Sequence, residues 1–440
     1  MADVRVLIAG VNYRPEQTGI GPYTAGLAEH LAGRGHQVVV STTFPHYPHW
    51  TWQRDGCAPD ARLNGVQVRR RRVILPRRRS AGWRVLYDSS FAIAVLRSGL
   101  GGRRPDLVLC VSPPVQAALA GAILVRSWRE RVPLLLLVKD LPLQAALSVG
   151  MMRPGATYRA GEWLERRAYA LADRIVVINE RFERRLLGQG VPRGKVVVIP
   201  DWADLERSRP RPPEPDMRRL LGGGDGEFVV LHAGSMGEKQ SLGTAVLAAR
   251  LAGRDARVRL ALVGDGSQRR VLERLAKEDG EAPVRLLPLQ PEAEFPRLLA
   301  AADALLLHQR ADVVDSVAPS KLLSYMAAGR PVLAAVSPDS VAADLVRRAG
   351  CGVIVRPEDP PALAAAMQGL GSDAEGRDRM GARGRRFVER NFERGSILAR
   401  WEALVSGRME PRPGADPAAP EEWTDGRTDE DGRGPGARGG

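Results

Sequence analysis

The 440-residue sequence predicts an α/β protein of two doubly wound, Rossmann-like domains facing a cleft. Three observations predict it. The length suits two domains. Apolar, β-branched runs alternate with helix-period segments almost from end to end, the pattern of parallel sheets covered on both faces. One break, 204–226, holds Pro210, Pro212, Pro213, Pro215 and three successive glycines with no clean periodicity, as an interdomain linker does.

In the first half, strands are expected over Val4–Ala9, Val38–Thr42, Val66–Val73, Leu107–Val111, Leu134–Val138, Ile175–Ile178 and Val196–Ile199. Helical period fills Ile20–Arg34, Trp83–Arg97, Val115–Arg129 and Glu162–Leu171 between them. After the break, strands are expected over Phe228–Ala233, Arg259–Val263, Val284–Leu287, Ala304–His308, Val332–Ala335 and Gly352–Val355. The tail from Gly407 is rich in Pro, Gly, Asp and Arg and predicts disorder. The expected division is a domain over 1–203, the linker over 204–226, a domain over 227–390, a closing helix over 391–406 and a tail over 407–440.

Hydrophobic residues make up 44 % of the chain, enough for two cores. Cys57, Cys110 and Cys351 are odd in number and far apart, so neither a disulfide framework nor zinc spacing is expected. The N-terminus enters a strand without a signal-like n-region, and the longest apolar runs, such as Pro133–Val138, are too short to span a bilayer. These features predict a cytoplasmic protein, or one held at the inner face of the plasma membrane. The net charge of +14 fits either attraction to polyanions or a general arginine bias. Zinc-finger spacing, RRM aromatics and heptads are lacking, so no nucleic-acid partner is expected.

In open α/β sheets, ligands bind past the carboxyl ends of strands, and the motifs fall there. The first strand leads to Thr18, Gly19 and Gly21, where Thr18 can cap the next helix and the glycines either let a ligand approach or make a plain turn. Leu134–Val138 leads to Lys139 and Asp140. Asp140 is either a base that polarises a hydroxyl, or a cap or salt-bridge partner of Lys139. Phe228–Ala233 leads to Gly234, Ser235 and Lys239, and Arg259–Val263 leads to Gly264 and Gly266. The stretch PSKLLSYMAAGRPVLA at Pro319–Ala334 places Ser320 as N-cap, Lys321 in the first helical turn and Gly329 as the C′ glycine. A cation opposes the helix dipole there unless an anion lies between them. Only five of the 65 basic residues are lysines, which marks Lys321 as a specific choice. Three such elements in one domain would surround a diphosphate.

The motifs together resemble the GT-B glycosyltransferases of family 4, and among them the bacterial exopolysaccharide, colanic-acid-type branch. The resemblance is carried by NYRPEQTGIGPYTAGLAEHLAGRGHQVVVST at Asn12–Thr42, FPHYPHW at Phe44–Trp50, HAGSMGEKQSL at His232–Leu242, LVGDGSQR at Leu262–Arg269 and the Pro319 stretch. It implies retaining transfer from a nucleotide-sugar donor (a UDP-, GDP- or dTDP-sugar) to a hydroxyl acceptor, without cofactor or obligate metal. It puts the acceptor in the first domain and the donor in the second. Gly264 and Gly266 would approach the donor, Leu289 would lie near the base, and Ser320, Lys321 and Leu322 would hold the diphosphate and sugar. Where the family carries an E-x7-E pair this chain has Ser316 and Ser324, with Asp315 beside the first. Ser235 takes the place of a usual arginine, with Lys239 nearby. A catalytically idle GT-B scaffold and a sugar-nucleotide epimerase of the same architecture are the alternatives.

Arg69–Arg79 puts seven arginines in eleven residues, ahead of Trp83 and the apolar Phe91–Leu96. One reading is peripheral contact with an anionic leaflet, which would set the acceptor site over a lipid-linked sugar. The other, favoured because Phe91–Leu96 is apolar on every side, is a solvated loop before a core helix.

Overall fold

In the computed structural model, residues 3–16, 19–47, 50–53, 56–78, 80–143, 147, 152, 155–253, 257–277, 283–313 and 320–408 are described. They divide into two units, 203–311 with 320–393 in one and the remainder in the other. The expected disordered tail lies outside the described residues from position 409.

The first unit holds an eight-stranded sheet in the order β3-β4-β2-β1-β5-β6-β7-β8. Its strands are β1 Arg5–Ala9, β2 Gln37–Thr43, β3 Asp60–Leu63, β4 Val66–Arg71, β5 Leu107–Ser112, β6 Leu134–Val138, β7 Arg174–Val177 and β8 Val196–Val198. All pair in parallel except the edge strand β3, which runs antiparallel to β4. The central strands β5 and β6 are buried along their whole length, which explains their unbroken apolar sequences. Polar alternation in DARL hid β3 from the sequence reading, since a short edge strand buries little. Helices α1 Gly21–Gly33, α2 Ala81–Leu100 and α3 Gln116–Ser127 connect the first strands.

The last helix, Arg394–Val405, belongs to this unit. Ile397, Leu398 and Trp401 join its core, and Arg34 donates to the buried Glu402 at 2.9 Å.

The second unit holds six parallel strands in the order β11-β10-β9-β12-β13-β14. These are β9 Phe228–Ala233, β10 Val258–Val263, β11 Val284–Leu287, β12 Ala304–His308, β13 Val332–Ala335 and β14 Gly352–Val355. Each lies within one residue of its sequence expectation. The segment expected as a free linker carries the helix Pro215–Leu220, and Met217 and Leu221 are buried in the second unit's core. Proline and glycine punctuation masked this short helix, which is fixed by packing rather than by propensity.

The helix over Phe91–Leu96 is not buried all round. Phe91, Ala94 and Val95 face the core, whereas Ile93 is 52 % exposed. A helix on one face of a sheet can bury only one side, however uniform its sequence.

Candidate functional site

In the second unit, the loops after β9 and β10 leave adjacent strands and lock together. Gly234 N–H donates to Val263 O at 2.8 Å, and Met236 N–H donates to Asp265 O at 2.8 Å. A Cβ on Gly264 would stand 1.8 Å from Gly234 O, and one on Gly266 would stand 2.6 Å from the Met236 backbone. Gly234, Gly264 and Gly266 have φ of 132°, 151° and 157°. Loop-to-loop packing therefore requires these glycines independently of any ligand.

The helix Ser320–Ala327 follows β12, the other neighbour of β9. Ser320, expected as the N-cap, is the first residue of this helix, and Pro319 before it lies outside the described residues. Gly329 has φ 68° two residues past the end, as a C′ glycine should. Tyr325, fully buried, accepts the Ala233 N–H at 3.2 Å and pins this helix to the end of β9.

One turn earlier on the same helix, Lys321 is half-buried. Its Nζ lies 2.8 Å from where a Gly234 Cβ would be and 3.5 Å from His232 Nε2. Among the described residues no carboxylate pairs with it. Desolvation by burial pushes its pKa down to about 8. His232 is fully buried, and burial, with Lys321 adding to it, holds its pKa well below the usual range. His232 Nδ1 lies 3.3 Å from Leu306 O, and Nε2 lies 3.2 Å from Ser235 O and 3.5 Å from the ammonium. The sequence reading assigned His232 no role. Its signal was a polar residue ending an otherwise apolar strand.

In the same unit, Ser235 is exposed and Lys239 lies partly exposed in the turn Glu238–Gln240. Leu289 is 60 % exposed beyond β11, and Leu287 O accepts from Gly264 N–H at 3.1 Å. The Leu322 side chain is fully buried in the core. A role for Leu322 in holding a ligand would therefore fall to its backbone N–H in the first helical turn. Asp315 lies outside the described residues. Among the described residues no group of three or more His, Cys, Asp or Glu could hold a metal ion.

In the first unit, α1 starts at Gly21 with Ile20 at the cap position and no side-chain cap; Thr18 lies outside the described residues. Gly19 has φ 69°, and a Cβ there would meet the Tyr47 ring at 3.3 Å. A Cβ on Gly21 would lie 3.1 Å from Glu16 O. The nearly buried Glu16 carboxylate accepts from His46 N–H at 2.9 Å, Tyr47 N–H at 2.8 Å and Asn12 Nδ2 at 2.8 Å, tying the loop after β1 to the loop after β2. Burial, Asp140 and Glu16 together push the Tyr47 phenol up. Gly19, Glu16, Tyr47 and Asp140 thus form one cluster past the strand ends. Asp140 accepts Leu141 N–H at 2.9 Å. Lys139, expected as its salt-bridge alternative, is instead buried, paired with Asp201 and set 4.1 Å above the Tyr23 ring. Tyr47 and Glu16 were not singled out from sequence, because only folding carries them to Asp140.

Two largely parallel Rossmann-like sheets with glycine loops past their strand ends are the architecture of the GT-B fold. The first half, residues 18–202, matches the glycosyl transferase 4-like domain. Residues 227–373 match the glycosyl transferases group 1 domain. The putative colanic acid biosynthesis glycosyl transferase WcaI of Escherichia coli (strain K12) is 29 % identical over 377 residues, covering 83 % of this chain and 91 % of that one. The probable glycosyltransferase WbjE of Pseudomonas aeruginosa is 27 % identical over 266 residues, 60 % of this chain and 64 % of its own.

Among solved structures, sucrose-phosphate synthase from Thermosynechococcus elongatus superposes with a TM-score of 0.68 at 20 % identity, covering 92 % of this chain and 99 % of that one. WaaG, a glycosyltransferase of lipopolysaccharide biosynthesis, gives 0.66 at 17 %, covering 91 % and 100 %. Anabaena HepE, solved with UDP and glucose, gives 0.62 at 17 %, covering 92 % and 99 %. The chain carries the glycosyl transferase 4-like and group 1 domains of the GT-B glycosyltransferases and is similar to a colanic acid enzyme over most of its length. It is a glycosyltransferase of polysaccharide biosynthesis.

Proposed function

We propose that the second unit binds the diphosphate of a nucleotide-sugar and that the sugar passes, with retention, to a hydroxyl acceptor held near Asp140. The observation that carries this reading is Lys321. A half-buried ammonium with no carboxylate partner among the described residues, in the first turn of a helix and beside the glycine loops, is a site of positive potential. A diphosphate would satisfy the ammonium and the helix N–H groups together. In the transfer, the anomeric carbon–phosphate oxygen bond breaks, the bond to the acceptor oxygen forms, and the acceptor's proton passes to the departing diphosphate oxygen. Lys321 would stabilise the charge developing on the departing diphosphate. Retention, as the family resemblance implies, puts the acceptor on the face that the diphosphate leaves. Asp140 would orient and polarise the acceptor hydroxyl.

The donor's base, UDP, GDP or dTDP, is read by thermal shift, since a ligand at 100 times its Kd adds about 2.7 kcal/mol. Product configuration is read by NMR of the anomeric proton. Lys321→Ala should abolish transfer and leave the circular dichroism spectrum unchanged. Wild-type transfer by that variant would remove the donor-site assignment.

A further inference from the structure

His232 and Ala233 close β9, and His232 has no solvent exposure. These two neighbours meet the helix Ser320–Ala327 at two points one turn apart. Ala233 does so through its backbone, whose N–H donates to the Tyr325 hydroxyl at 3.2 Å. His232 does so through its ring, whose Nε2 lies 3.5 Å from Lys321 Nζ. Residues four apart share one face of a helix, so a single strand end holds both.

The ring also lies between two carbonyls, Leu306 O at 3.3 Å from Nδ1 and Ser235 O at 3.2 Å from Nε2. Burial first, then Lys321 on the helix and His308 on β12, keep the ring neutral. A neutral imidazole has one N–H and one lone pair, so it can donate to only one of the carbonyls. With the proton on Nε2, an N–H points at the ammonium and the Nδ1 lone pair faces Leu306 O. With the proton on Nδ1, Leu306 O accepts it and the Nε2 lone pair faces the ammonium. The two carbonyl distances are nearly equal, so the charge decides, because a hydrogen bond to an ion is stronger than a neutral one. Exposure favours the same tautomer. Ser235 is exposed, so water can serve its carbonyl, whereas Leu306 is fully buried.

We propose that His232 is a positioning residue for Lys321: its Nε2 lone pair accepts from the ammonium and holds it beside Gly234, aimed at the donor diphosphate, without cancelling its charge. A carboxylate in this place would pair with the ammonium and compete with the diphosphate. A neutral acceptor fixes the direction of the charge and leaves its magnitude. Gly234 belongs to the same arrangement, because a Cβ there would stand 2.8 Å from Nζ. The bond favours the protonated amine, so it opposes the burial that lowers the Lys321 pKa. The ligand in this inference rests on the donor-site reading of Lys321; the contact between the two side chains does not.

Nitrogen NMR of the free, histidine-labelled full chain tests the contact. Of the six histidines, His232 is the one whose signals vanish in His232→Gln, and it should show a protonated Nδ1 and a bare Nε2. A protonated Nε2 would overturn the inference. Calorimetric titration with UDP, GDP and dTDP across a pH series tests the consequence. His232→Leu should weaken binding of the preferred nucleotide about fivefold below the Lys321 pKa. It should also move the fall in affinity to lower pH, because the ammonium has lost an acceptor that favours it. His232→Gln, which keeps a neutral acceptor, should restore both. A leucine variant that melts earlier yet keeps the wild-type pH midpoint would reduce His232 to a structural part and overturn the inference as well. Should that variant fail to fold, the wild-type spectrum decides. Wild type that binds none of the three nucleotides would remove the donor reading, while the spectrum of the free protein would still decide the contact.

Discussion

Lys321 shows how one side chain can be costly in the free protein and useful in the complex. Burial lowers its pKa from 10.5 to about 8, so the folded state holds fewer protons than the unfolded state within that window. The free protein should gain stability as pH rises from about 8 towards 10.5. A diphosphate reverses the preference, because it favours the protonated form. Nucleotide affinity should therefore fall as pH rises through about 8, which calorimetric titration across that range would show. Lys321→Met should lower affinity by about ten- to a hundredfold, as loss of a charge-assisted hydrogen bond does, and should flatten the pH profile. A profile unchanged by that substitution would assign the titration to another group. Gly234→Ala makes a related test. Its Cβ would fall 2.8 Å from the ammonium at φ 132°, so nucleotide binding should be lost along with about 1–3 kcal/mol of stability.

Among the elements, the two glycine loops behave as one unit. At Gly264 the obstructing atom is the Gly234 carbonyl oxygen, 1.8 Å from an added Cβ, and a backbone carbonyl cannot swing aside as a side chain can. Gly264→Ala should lower the melting temperature more than Gly82→Ala, where nothing lies within 4 Å of the new methyl. Equal melting temperatures would mean that the loops part easily. The helix Ser320–Ala327 is held similarly at two levels. Its Tyr325 hydroxyl anchors it to the end of β9, and that anchor fixes where Lys321 sits one turn away.

For the whole molecule, the chain's last helix matters more than its place in sequence suggests. Arg394–Val405 follows the second unit but packs in the first, where Trp401 is 3 % exposed. Trp401→Ala should destabilise the first unit by about 3–5 kcal/mol. Ending the chain at position 393 should leave the apolar surface of Leu398 and Trp401's neighbours uncovered and cut soluble yield. Full solubility with an unchanged melting curve would count against this packing.

The sequence by itself determined the strands, because buried parallel strands are unbroken apolar runs whose limits hydrophobicity writes directly. β6, β9 and β11–β14 begin and end where their residues said they would. It also determined the order of the glycine loops and the place of Lys321, since those are local turn and helix-start chemistry. Tertiary structure alone decided the rest. It buried Leu322, joined Lys139 to Asp201, brought Tyr47 and Glu16 to Asp140, and set His232 against Lys321. It also decided which side of α2 meets water. Each of these depends on residues far apart in the chain, and a periodicity read along one segment contains nothing about what the other segments place beside it.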